Sequence, residues 1–124
     1  MTVKELYELA KSYMFEKPTS KVYDDYYKPW INGLLSENFD LNNAIRESKG
    51  EDALEKVPFI SADTDVIKYE REMCYEILPY GLAKFFFIDD DLSKFNIFDT
   101  EYNNARMRYM PGKEVSIVDV YAGG

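Results

Sequence analysis

A chain of 124 residues with 46% hydrophobic and 16% aromatic content is long enough for one domain with a buried core and too apolar to be wholly disordered. Its net charge of −8 argues against direct binding to duplex DNA, which draws on clustered Lys and Arg, and favours a basic partner or another protein subunit. With no histidine and one cysteine, Cys74, the sequence offers neither the commonest general base and zinc ligand nor an intramolecular disulfide, so a reducing compartment or a redox-indifferent protein is expected.

Thr2 and Glu5 have capping-box spacing, and Val3, Leu6, Tyr7, Ala10, Tyr13 and Met14 continue at helical intervals. The first predicted helix therefore starts at the N-terminus and ends near Glu16, ahead of Pro18. The same stretch contains acidic residues and no apolar core of signal-peptide length, so no export signal is expected. A second, longer helix is predicted over about Tyr23 to Lys49. Its stripe is Tyr23, Tyr26, Tyr27, Trp30, Ile31, Leu34, Leu35, Asn38, Leu41, Asn42 and Ile45, with Gly50 as the left-handed stop. Residues 50–64 read as a loop in which Val57-Pro58-Phe59-Ile60 is extended and packs on the helices.

A third helix is predicted to be capped by Asp63, Thr64 or Asp65 and to run to about Ile88. Its buried stripe is Ile67, Cys74, Ile77, Leu78, Gly81, Leu82, Phe85 and Phe86. Pro79 and Gly81 interrupt it, but the stripe resumes in register, so a bend is expected and not an end. The apolar run from Ile77 to Ile88 contains Lys84 and falls well short of the roughly 20 residues that cross a bilayer, so no membrane partner is expected. A fourth helix begins inside Asp89-Asp90-Asp91 and continues to Met110, with Leu92, Phe95, Phe98, Tyr102, Ala105 and Tyr109 inward and Pro111-Gly112 as its stop. Beyond it Val115, Ile117, Val118, Val120 and Tyr121 form a β-prone run without helical spacing. The expected fold is mainly α: a small helical bundle of about four helices over residues 1–110, with an extended C-terminal arm over 111–124.

None of the residues that invite a chemical role forms a recognisable catalytic motif. The three aspartates lack the alternating spacing, glycine and terminal glutamate of a calcium loop, and fit helix capping instead. No metal or other cofactor is expected. Cys74 has no histidine to activate it and lies on the apolar stripe. Asn38, Asn42 and Asn43 either bond to the extended 57–60 segment, the preferred reading, or mark a subunit contact. Eleven tyrosines suit half-buried margins and interfaces. The apolar tail either pairs within its own subunit or adds to another protein. The second is favoured because the chain has few other strand candidates, which makes Val115, Ile117, Val118, Val120 and Tyr121 the candidate partner-binding residues.

Several motifs together resemble head–tail connector (adaptor) proteins of tailed bacteriophages and prophages. They are Asn38-x-x-x-Asn42-x-x-x-Arg46 with Gly50, Pro58-x-Ile60, Ile67-x-Tyr69-Glu70, Leu78-Pro79-Tyr80-Gly81-Leu82-Ala83, the aspartate run and Tyr102. The most specific is the Leu-Pro-Tyr-Gly-Leu-Ala segment followed by the aspartates; Lys84 with Phe85-Phe86-Phe87 departs from the small and aliphatic residues expected there. The resemblance implies a helical bundle that assembles as a homo-oligomeric ring beneath the portal protein, its C-terminal extension embracing the portal subunit. It also implies contact with other connector and tail proteins, in a virion assembled in the bacterial host cytoplasm. The alternative is a small acidic regulatory or inhibitor protein that occupies a basic site on another protein. An enzyme ranks third, since an acid–base pair would have to be built from Asp, Glu, Lys or Tyr.

Overall fold

The computed structural model describes residues 1–15 and 23–110, and over these the chain is mainly helical. Five α-helices follow one another: α1 (Val3–Tyr13), α2 (Tyr27–Glu37), α3 (Phe39–Ser48), α4 (Leu78–Phe86) and α5 (Leu92–Tyr109). A π-helical turn, Met73–Ile77, leads directly into α4. Among the described residues the only β pairing is a single bridge between Thr2 and Val66. The expected boundary at 111 and the arm beyond it lie outside the described residues.

α1 begins with the full capping box: Thr2 Oγ1 accepts from Glu5 N and Glu5 Oε1 accepts from Thr2 N, each at 3.1 Å. Two more first-turn donors are satisfied from a distant loop, Val3 N by Asp65 O and Lys4 N by Asp63 O. The helix stops before the expected Glu16, because Phe15 turns left-handed at φ 62°.

The long second helix is two helices. Asn38 (φ −101°, ψ 10°) separates α2 from α3, and its side-chain amide donates to Leu34 O, the carbonyl its own backbone N–H also uses. Side-chain competition for helical carbonyls is how asparagine breaks a helix, and α2 itself starts only at Tyr27. Gly50 does supply the stop (φ 80°): Gly50 N bonds Glu47 O and Glu51 N bonds Arg46 O, a Schellman closure.

The third predicted helix starts later than expected, at Arg71. Asp65 instead closes a turn by accepting from Ser61 N and Ala62 N, and the 61–70 stretch is held against the start of α1. Through Pro79 the helix continues without a loop. The π turn makes that possible, since Leu78 N bonds Met73 O, five residues back. Proline leaves the carbonyl four residues earlier without its usual donor. That carbonyl belongs to Tyr75, and it accepts from the Tyr13 hydroxyl at 3.2 Å.

α4 is apolar on nearly every side, with Leu78, Pro79, Gly81, Leu82, Ala83 and Phe86 buried, and it packs against α1, α2 and α5. Gly81 permits this close approach. A Cβ there would lie 2.7 Å from Leu34 Cδ2 and 2.8 Å from Tyr102 Cε1. α5 starts at Asp91, whose carboxylate accepts from Lys94 N; Asp89 and Asp90 lie in the preceding turn and are exposed. Its inward face is Phe95, Phe98, Tyr102, Ala105 and Tyr109, but Leu92 is 70% exposed because the first turn overhangs the core. In the loop, Ile60 is buried, whereas Val57 and Phe59 face solvent, Phe59 at 79% exposure.

Candidate partner-binding surface

The tail residues expected to bind a partner, Val115, Ile117, Val118, Val120 and Tyr121, lie outside the described residues. Two other constellations stand out in the folded body. One is internal and polar, the other open and aromatic.

The internal one joins α2, α3, α4 and α5. The Tyr102 hydroxyl donates to the Glu37 carboxylate and accepts from Asn38 Nδ2 at 2.8 Å, while Arg106 Nε donates to Asn38 Oδ1 at 2.9 Å. Burial, reinforced by Glu37, pushes the Tyr102 hydroxyl far above the usual tyrosine range. Lys84 pairs with Asp99 at 2.9 Å and lies over the Tyr102 ring, 4.4 Å from its centre. One turn further along α3, Asn42 Oδ1 accepts from Glu70 N at 2.8 Å, and the Glu70 carboxylate pairs with Arg46 and Lys49. The Tyr69 hydroxyl donates to Leu35 O, at the C-terminal end of α2.

Asparagine pins the loop as well. Asn32 clamps both backbone groups of Ile60, and Asn43 both of Leu54. None of Asn38, Asn42 and Asn43, the asparagines expected to bond to the 57–60 segment, does so: Asn38 holds Leu34, Tyr102 and Arg106, Asn42 holds Glu70 and Asn43 holds Leu54, while the bond to Ile60 comes from Asn32. Asn32 sits beside the apolar stripe, and only the close approach of the loop distinguishes it from a solvated position. Cys74 is buried, and burial raises its thiol to about 11, which keeps it protonated and unreactive.

The open constellation is a cleft of about 310 Å³ lined by Tyr23, Tyr26, Trp30, Phe85, Phe86, Ile88, Asp89 and Asp90. Phe86 forms its floor, with Tyr23 stacked on it at 4.1 Å and Trp30 tilted against it at 5.1 Å. Trp30 also stacks on Phe85 at 5.8 Å and on Tyr26 at 5.7 Å. Tyr26 and Ile88 are both more than half exposed at the rim. The Phe85-Phe86-Phe87 run thus serves two sides, since Phe87 turns inward to stack on Phe98 of α5. In sequence, these aromatics read as core stripe. Their placement around an opening depends on α2 meeting the end of α4, a tertiary fact.

The chain matches no known family model, no curated protein sequence and no solved structure. Among the described residues no group of three or more acidic or cysteine side chains is gathered closely enough to hold a metal ion. No helix there is long and apolar enough to cross a membrane.

Proposed function

We propose that this protein is a structural head–tail connector of a tailed phage or prophage particle. In this reading residues 1–110 form a helical bundle body that assembles as a ring on the portal protein, and the 111–124 arm docks on a partner subunit. The chain contributes surfaces and no chemistry of its own, and it works in the virion after synthesis in the host cytoplasm.

What supports the reading is where the residues of the resemblance fall. Asn38, Asn42, Arg46, Tyr69, Glu70, Gly81 and Tyr102 are scattered over 65 residues of sequence, yet they are the groups that fasten the helices to one another.

The experiment is co-expression of the full chain with the portal protein encoded beside it, followed by electron microscopy of the purified material. A ring of this chain seated on the portal is expected. A gene neighbourhood without portal or terminase, or a chain that stays apart from the portal, contradicts the reading and leaves the acidic regulatory protein in its place.

A further inference from the structure

We infer that the aromatic cleft between α2 and the end of α4 is a docking site for an arginine side chain presented by a partner protein. The inference does not depend on the connector reading, since it concerns what the cleft recognises and not which assembly supplies it.

The chemistry of the lining is that of a guanidinium receptor. The walls are aromatic, Tyr23, Tyr26, Trp30 and Phe85 around the buried floor of Phe86, with Trp30 stacked on both Tyr26 and Phe85 and Tyr23 stacked on the floor. The negative faces of such rings attract a cation, and the planar, weakly hydrated guanidinium stacks on them better than an ammonium does. At the mouth stand Asp89 and Asp90, both exposed and neither in an ion pair with another described residue. Carboxylates lining the same cleft supply acceptors for the N–H groups of a guanidinium, and charge-assisted bidentate bonds suit that pairing. Among the described residues no lysine or arginine lines the cleft, and Lys84 lies 5.4 Å from the centre of the Phe85 ring.

Size and charge argue for a side chain over a free small molecule. At about 310 Å³ the cleft is at the lower limit of pockets that enclose a whole ligand, roughly 300–1,000 Å³, and its rim is open. A chain of net charge −8 draws basic surfaces toward itself before contact. One arginine flanked by an apolar residue fills the opening, with the apolar neighbour lying on Ile88 and Tyr26.

Trp30 is the only tryptophan, so its fluorescence reports on the cleft alone. The full chain is titrated with the peptide acetyl-Leu-Arg-Leu-amide and, in parallel, with the analogue in which citrulline replaces arginine. Citrulline keeps the shape and removes the charge. The arginine peptide is expected to change Trp30 emission saturably in the millimolar range, roughly fivefold more tightly than the citrulline peptide. The D89N/D90N double variant is expected to reduce that preference. Both positions are exposed, and Asp91, which caps α5, is left intact, so the variant retains its fold; circular dichroism checks this. Equal affinity for the two peptides, an undiminished preference in D89N/D90N, or no saturable change with the arginine peptide overturns the inference.

Discussion

Two glycines placed in helices show how a single Cβ changes sign with its surroundings. At Gly81 the added methyl meets Leu34 and Tyr102 at 2.7 and 2.8 Å, and the Tyr102 ring is tethered through its hydroxyl to Glu37 and Asn38. Leu34 can rotate away but the ring cannot. Overpacking costs about 1–3 kcal/mol, against a gain of about 1 kcal/mol in helix propensity. Gly81→Ala is therefore expected to lower stability in urea unfolding. At Gly33, inside α2, nothing lies within 4 Å of the added Cβ. Gly33→Ala is expected to raise stability by about 0.5–1 kcal/mol, through helix propensity and a less mobile unfolded chain. Phe15 is a third case. Its left-handed backbone and 97% exposure mean that its side chain supports nothing in the isolated subunit, so Phe15→Gly is expected to stabilise by about 1 kcal/mol in thermal melts.

At the scale of elements, helix continuity and loop anchoring are both decided by small numbers of polar contacts. The 51–70 stretch has almost no regular structure, yet Asn32, Asn43 and Asn42 take up backbone groups of Ile60, Leu54 and Glu70. Asn32→Ala is expected to speed amide hydrogen exchange at Ile60, and Asn43→Ala at Leu54, while the α4 amides keep their protection. Equal acceleration throughout would mean that the loop unfolds only with the whole protein. These same contacts mark the limit of what the sequence revealed. Stripe spacing was enough for α1, for the persistence of the helix through Pro79 and for the Asp91 start of α5, because each follows from local periodicity and capping. The split at Asn38 was not legible, since besides its local bond to Leu34 O the asparagine side chain is held at the break by Tyr102 and Arg106, 64 and 68 residues away. Nor was the late start of the third helix, which is set by the pairing of 63–67 with the first residues of the chain. The aromatic cleft was hidden for a related reason: periodicity says which residues share a face, but not where two faces fail to close.

For the whole molecule, the buried ionisable groups set an alkaline limit. Burial is the first cause that raises Tyr7, Tyr27, Tyr69 and Tyr102 well above 10.0, and it raises Cys74 from 9.0 to about 11. All five are neutral when protonated, so the fold holds these protons more tightly than the unfolded chain does. Their stabilising contribution is complete below about pH 9 and is lost as pH rises toward the folded-state values. Melting temperature is expected to be insensitive to this set between about pH 7 and 8.5 and to fall above about pH 9.5. Ultraviolet titration should show the buried tyrosines ionising only as the protein unfolds. A melting temperature that rises with pH above 10 would contradict the assigned burial.

The central claim is a self-sufficient helical body joined to an arm that serves a partner. Among the described residues the core runs from Val3 to Ala105, and the proposed reading has the body fold without the last 14 residues. The most direct measurement truncates the chain after Met110 and follows both thermal melting by circular dichroism and co-purification with the portal protein that the connector proposal takes as partner. Retained helicity and melting with loss of co-purification is the expected result. A truncated chain that fails to fold would place the arm in its own core, and one that folds and still binds would move the interface onto the helices; either outcome contradicts the claim.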